Sequence, residues 1–335
     1  MTRKYHVVGI GAALVDTEIE VSDQDLAALK VEKGLMTLVD EQRQAEIVEV
    51  LKGRLTASRR ASGGSAANTT IAVSAFGGKS FFCGRVADDD NGHFYLSDLD
   101  SAGVGHPSPN QLPAGTTGKC LVLITPDAER SMNTFLGASE ALSEQNLDLD
   151  AIAATEYLYI EGYLATSDSG RAAAIAARKH AQKVGTKVAL SLSDPGIVAH
   201  FREQLAAILG NRVDLLFCNE EEALAWTGTD TLESAGEKLA DWAEQYAITL
   251  GAEGAVIFDG NEILRVPARA ITAIDTNGAG DMFAGAFLFG LCHGFDHLKA
   301  GRLACTASAA VVGQYGPRLP LAQHQGLLSA FIDQD

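Results

Sequence analysis

"EYLYIEGYLATSDSGRAAAIAARKHAQKVGTKVALSLS" occupies residues 156–193 and carries the reading that decides the fold. "EYLYIEG" (156–162) reads as a strand. "SDSGRAAAIAARKHAQKVG" repeats its small apolar residues with a period near 3.6 and closes on Gly185, which marks a helix and its stop. "KVALSLS" (187–193) is a second strand. A strand, a helix and a strand in that order form a parallel β-α unit.

The rhythm extends in both directions. "YHVVGIG" (5–11) and "KSFFCGRV" (79–86) read as strands before it, and "VDLLFCN" (213–219) and "YAITLG" (246–251) after it. "GIVAHFREQLAAILG" supplies another helical period closed by glycine. We therefore expect an α/β protein, a three-layer α/β/α domain around a central, mostly parallel sheet, with residues 1–335 forming one domain. Two regions break the rhythm. Residues 14–40 contain the alternating "VDTEIEV" and the run "GLMTLVD", and residues 116–136 read as two β-runs around a turn at Pro126-Asp127. One-sided antiparallel strands inserted there would form a small sheet standing off the body as a lid. Residues from about 280 to 333 read as successive helices.

Composition narrows the function classes. With 43 acids against 26 bases the net charge is −17, and no basic cluster exceeds Arg59-Arg60. Nucleic acid is thus an unsuitable partner. Five cysteines without a C-x-x-C pair fit neither a disulfide framework nor a zinc site and suit a reducing, cytoplasmic setting. No run approaches 18 apolar residues, so no membrane span is expected. Neither G-x-S-x-G nor the Walker pattern occurs.

Several stretches each allow a bland and a chemical reading. "VVGIGAALVD" offers G-x-G after a strand, but Leu14 stands where a dinucleotide site needs its third glycine. Asp16 nevertheless follows a buried strand, where α/β proteins bind ligands. "SGGSAANTTIAVSAFGG" (62–78) is either a glycine turn with Ser65 as cap, or a place where Gly63 and Gly64 admit a ligand to the backbone and Asn68 meets its hydroxyls. Asn219 and Glu222 in "CNEEEALAWTG" match a capping box. "ITLGAEGAVIFDG" (248–260) reads as a hairpin turned by Gly251 and Gly254, or as a side-chain-poor wall for a planar group. Arg130 is either a solvated charge or a phosphate contact. In "DTNGAGDMFAGAFLFG" (275–290), the amides at Gly278, Ala279 and Gly280 open a helix without side chains in the way. That suits a phosphate, with Asp281 beside it as a base for an attacking hydroxyl.

"DTNGAGD" is similar to the carboxy-terminal signature D-T-x-G-A-G-D of the PfkB, or ribokinase-like, family of carbohydrate and nucleoside kinases. "GGSAANTTIAVSAFGG" resembles that family's amino-terminal signature. Asn219 to Glu222 matches its N-x-x-E, and "TLGAEG" its nucleotide-side turn. The resemblance implies ATP-dependent phosphorylation of a hydroxymethyl group. Asp281 would be the base and Gly278, Ala279 and Gly280 the anion hole. Asp16, Gly63, Gly64 and Asn68 would hold the acceptor, with Arg130 reaching in from the lid. Asn219 and Glu222 would order Mg²⁺-bound phosphates, and Thr249, Gly251 and Gly254 would line the ATP pocket. Asp275 and Asn277 fall where potassium-dependent relatives bind K⁺.

Sugar kinases of the family carry D-x-N-x-R after the fifth core strand, where this chain reads "SLSDPGIV" (191–198). "GGSAAN" also departs from their "GGAPAN" and "GGKGAN". Both departures, with "ERSMNTFLGAS" (129–139), resemble bacterial adenosine-kinase-like members, so a nucleoside, adenosine first, is the expected acceptor. Ribose, fructose or a related sugar is the alternative, and a non-catalytic nucleoside binder is the alternative of another class. Either a monomer or a homodimer fits.

Overall fold

A computed structural model describes residues 3–53, 60–108 and 111–333. Nine strands form the central sheet. From one edge they run Ile263–Val266, Ala255–Phe258, Ala243–Thr249, Val213–Asn219, Lys187–Ser191, Thr155–Glu161, Tyr5–Ile10, Ser80–Cys83 and Val104–Gly105. Every neighbouring pair is parallel except the two at the Ile263–Val266 edge. One of those arises from the hairpin at 248–260, where Gly251 and Gly254 both take positive φ, and the other from the turn at 259–262.

Side-chain alternation splits each strand between two cores. Tyr157, Tyr159, Leu215 and Phe217 face one layer of helices, and Leu158, Ile160, Leu216 and Cys218 face the other. The helix Asp168–Val184, in the stretch that decided the fold, starts on Ser167, whose hydroxyl accepts the Gly170 N–H. It ends at Gly185 with φ 74°. The stretch "GIVAHFREQLAAILG" gives two helices, Pro195–His200 and Arg202–Leu209, because the chain leaves helical geometry at Phe201.

The helix Ala279–Cys292 is apolar nearly all round because it is buried between the helices Ser65–Ala75 and His297–Val312. Phe283 and Phe287 stack with centroids 5.9 Å apart, and Phe217 meets Phe287 edge-on at 5.8 Å. A Cβ on Gly285 would come within 2.6 Å of Ala72 Cβ, so the helices touch backbone to backbone there. Close packing around residues 282–290 anchors the helix behind its open start.

A second sheet of five strands has the order Met36–Leu38, Arg130–Phe135, Gly118–Ile124, Leu14–Glu20 and Arg60–Gly63. Residues 118–135 form the expected hairpin, but the sheet is mixed: Leu14–Glu20 pairs parallel with Gly118–Ile124, and Met36–Leu38 parallel with Arg130–Phe135. Nor is it one-sided. Ile19, Val21, Leu121 and Leu123 pack against the helices Asp23–Leu29 and Glu41–Leu51, while Leu14, Cys120, Val122 and Ile124 face the other way. The order of elements along the chain accounts for both departures. The chain returns to this sheet after a long excursion through the main body, so strands far apart in sequence meet in parallel, and the two helices inserted early cover the outer face. No helix among the described residues is long and apolar enough to cross a membrane.

Candidate active site

A cavity of about 660 Å³ opens at the carboxyl ends of the central strands, beneath the small sheet. That size suits ligands in the range of about 300–1,000 Å³. Ligands of open α/β sheets bind at this end.

One wall is the start of the helix Ala279–Cys292. Gly278 is its N-cap with φ 73°, and no side chain caps the amides that follow. A Cβ on Gly278 would lie 2.4 Å from Pro317 O, so both the backbone angle and the neighbour demand glycine. At Gly280 a Cβ would meet nothing within 4 Å, because that position faces the open cavity. The helix dipole and its uncapped N–H groups thus present a positive, side-chain-free surface.

Asp281 stands beside this surface with its carboxylate held at both ends. Ser65 Oγ donates to Oδ1 at 2.7 Å and Asn68 Nδ2 donates to Oδ2 at 3.0 Å. The group still touches the cavity, yet enough protein surrounds it that burial raises its pKa. The bonds from Ser65 and Asn68 and the charge of Arg130 pull the other way. Because a carboxylate only accepts, it fixes the Asn68 amide with nitrogen inward. Among the described residues Asn68 Oδ1 is left buried without a partner. A buried acceptor without a donor is costly, and a ligand hydroxyl would satisfy it.

Asp16 lies on the small sheet and lines the same cavity, 6% exposed. A Cβ on Gly63 would overlap its carboxylate at 2.1 Å, so glycine there is what lets Asp16 sit where it does. Burial, then the charge of Glu18, pushes the Asp16 carboxyl up to about 8. Gly64 forms the N-cap of the helix that carries Ser65 and Asn68. Arg130 comes down from the small sheet into the charge field of Asp281 and Asp194, and its Nε has no partner among the described residues.

At the opposite end, Thr249, Gly251 and Gly254 line the cavity together with Ala309 and Val312. Asn219 and Glu222 stand between the two ends and form a complete capping box. Asn219 Oδ1 accepts the Glu222 N–H at 2.7 Å, and Glu222 Oε2 accepts the Asn219 N–H at 3.1 Å. The bland reading of this pair is therefore true as geometry, although both residues also face the cavity. Burial, reinforced by Asp194, pushes the Glu222 carboxyl up to about 8. Asp275 is fully buried and set back from the cavity. Its oxygens accept the N–H groups of Asn277 at 2.8 Å and Gly316 at 2.9 Å. Asn277 does line the cavity. No group of three or more His, Cys, Asp or Glu side chains among the described residues is arranged to hold a metal ion.

Sequence reasoning passed over Glu161. It ends the strand Thr155–Glu161 and accepts the N–H groups of Ala12 at 2.7 Å and Ala66 at 2.8 Å. It thereby ties the acceptor side of the cavity to the helix bearing Asn68. Burial pushes its carboxyl up to about 7. The signal that singled out Asp16, an acid closing a buried strand, was present in "EYLYIEG" as well.

A family model described as pfkB family carbohydrate kinase matches residues 35–324. Adenosine kinase from Saccharomyces cerevisiae is 28% identical over 335 residues, covering 94% of this chain and 96% of the relative. Among solved structures, adenosine kinase from Sinorhizobium meliloti superposes with a TM-score of 0.91 at 35% identity, covering 98% of this chain and 99% of that one. A probable sugar kinase protein from Rhizobium etli CFN 42 gives 0.89 at 35% identity, covering 98% and 100%.

Proposed function

This chain belongs to the pfkB family of carbohydrate kinases and is an ATP-dependent phosphotransferase acting on an alcohol; we propose that its acceptor is the 5′-hydroxyl of a nucleoside, adenosine first. One observation carries the choice of acceptor. Around Asp16 the cavity wall on the small sheet is apolar, built from Leu14, Met36, Cys120, Met132 and Leu136. A sugar has no use for such a chamber, whereas a purine beyond the ribose fills it.

In this reading Asp16 and Asn68 hold the ribose hydroxyls and the five-stranded sheet acts as the lid. Asp281 accepts the proton of the attacking hydroxyl, which needs to stand within about 3 Å of it. The amides from Ala279 onward meet the negative charge of the moving phosphoryl group, and Arg130 adds a cation from above. Positioning and charge stabilisation of this kind supply most of the catalysis in phosphoryl transfer. Thr249, Gly251 and Gly254 face the base of ATP.

A divalent cation, Mg²⁺, would be held with ATP beside Asn219 and Glu222, both of which line the cavity. Burial pushes the carboxyls of Glu222 and Asp194 upward, Asp194 adds to the push on Glu222, and the charge of Arg130 opposes it at both. When bound with ATP, the ion shields phosphate charge. A monovalent ion such as K⁺ beside Asp275 and Asn277 belongs to the same proposal, and comparing turnover in potassium and choline salts tests it.

Incubation with ATP, Mg²⁺ and a panel of nucleosides and sugars tests the acceptor. Turnover of adenosine or another nucleoside well above any sugar is expected, and turnover of sugars alone overturns the reading. The second reading, a ribose- or fructose-type sugar, draws on the probable sugar kinase of Rhizobium etli, as similar to this chain as the adenosine kinase is.

A further inference from the structure

We propose that Thr276 is a positioning residue: its side chain clasps the small sheet to the phosphate cradle and so holds Arg130 over Asp281. This rests on the reading of Arg130 as a cation for the moving phosphoryl group. Thr276 stands two residues before the N-cap glycine of the cradle helix and uses both of its polar groups there. Its carbonyl accepts the Ala279 N–H at 3.2 Å, which starts the first turn. Its hydroxyl donates to Ala128 O at 3.1 Å, across 148 positions of sequence. One side chain thus joins the cradle to the turn of the hairpin 118–135.

The turn is built to present that carbonyl. Ala128 has φ 64°, a left-handed conformation that alanine rarely adopts, and it is 3% exposed. Such conformations persist only where the surroundings determine them, and they collect at functional sites. Here the surroundings are a closed set of bonds. Ala128 N–H donates to Thr125 O at 2.9 Å, Thr125 N–H to Glu129 O at 3.0 Å, and Thr125 Oγ1 to Asp127 Oδ1 at 2.6 Å. Lys33 braces the outside, its Nζ 2.7 Å from Asp127 Oδ2 and 2.8 Å from Asp23 Oδ1.

Arg130 is the second residue after Ala128 and opens the return strand, paired with Ile124. Its side chain lines the main cavity in the charge field of Asp281 and Asp194. An arginine has many rotamers, so where its guanidinium rests depends on how firmly its backbone is seated. The clasp seats it two residues away, and it does so against the cradle itself. Asn277 adds a weaker tie of the same kind, with Nδ2 3.4 Å from Glu18 Oε1 on the next strand of the small sheet.

Steady-state kcat for four forms of the intact protein tests this: wild type, Thr276→Val, Arg130→Met and the double variant, assayed with Mg²⁺-ATP and the preferred acceptor. Arg130→Met should lower kcat about 10²-fold, the scale of one charge-stabilising donor. Thr276→Val keeps the shape and loses the donor, and should lower kcat about tenfold, within reach of one lost hydrogen bond. The double variant should match Arg130→Met within about twofold, because without the arginine nothing is left to position. Thr276→Ser restores the hydroxyl and should recover wild-type turnover, and Thr276→Ala replaces the valine variant if that folds poorly. A role in stability alone would act in either background. Losses that multiply to about 10³-fold therefore overturn the proposal while the reading of Arg130 stands. So does full turnover by Thr276→Val beside an impaired Arg130→Met. An Arg130→Met enzyme as active as wild type overturns both.

Discussion

Two of the helices that begin at the main cavity treat their first amides in opposite ways. At Asn219 the chain satisfies them itself, through a reciprocal capping box with Glu222. At Gly278 no side chain caps them: the Ala279 N–H turns back to Thr276 O at 3.2 Å, and the left-handed glycine leaves the next amides facing the cavity. Helix ends are ordinarily capped because exposed amides weaken the first turn. An open end in a helix so deeply packed means that the core holds the helix in place and the amides are free for something else. The contrast separates a helix start that is structural first from one that is chemical first, and substitutions at the two starts should behave differently.

The largest effect is expected at Asp281. Asp281→Asn should lower kcat by roughly 10³-fold, within the range of about 10²–10⁴ for a general base. Acceptor binding, read by calorimetry, should change only a few-fold; unchanged turnover would show that the base lies elsewhere. Next comes Gly280→Ala. Its methyl meets open space, and alanine favours helix by about 1 kcal/mol, so the melting temperature should hold or rise. The methyl nevertheless stands where a phosphate would approach, so kcat should fall about 10²-fold, comparable to losing one oxyanion donor. A variant as active as wild type would close the case for the open amides.

Asn219→Ala should show the reverse balance. It removes a cap worth about 1 kcal/mol and should lower the melting temperature, with a rate loss nearer tenfold. If its rate loss exceeded that of Gly280→Ala without loss of stability, the distinction between the two starts would collapse. The smallest effect concerns pH. Folding raises the Asp16 carboxyl from its ordinary 3.8 to about 8, so the folded chain binds the proton more tightly than the unfolded chain. Stability from this group is full below about pH 4 and declines as pH rises toward 8. Asp16→Asn should therefore gain stability over wild type at pH 8 and lose that gain as pH falls to 4. Denaturant melts at both values check the sign, and the same variant should raise the acceptor KM.

The two starts also differ in what the sequence revealed. Asn219 and Glu222 have a local logic at three-residue spacing, so the capping box was legible at once. That both face a cavity was not, because it depends on strands far away in sequence. "VDLLFCN" matched its strand to the residue and the hairpin at 248–260 was foreseen, since alternation and glycine act over a few residues. The small sheet was harder. Its strand Arg60–Gly63 is short and small-sided, and its parallel partners are chosen over long range. Glu161 was missed because its two backbone partners, Ala12 and Ala66, belong to other elements. No pattern along the chain predicts such a meeting.

Pro317 sits under Gly278, and Gly316 bonds the buried Asp275. The start of the cradle helix thus rests on a segment almost forty residues downstream of it, while its other neighbours, Ser65 and Asn68, come from the first quarter of the chain. During synthesis the parts of the cradle exist long before the support that seats them. Competence to hold a phosphate is therefore acquired late, and a nascent chain halted before residue 316 would lack the seat on which Gly278 rests.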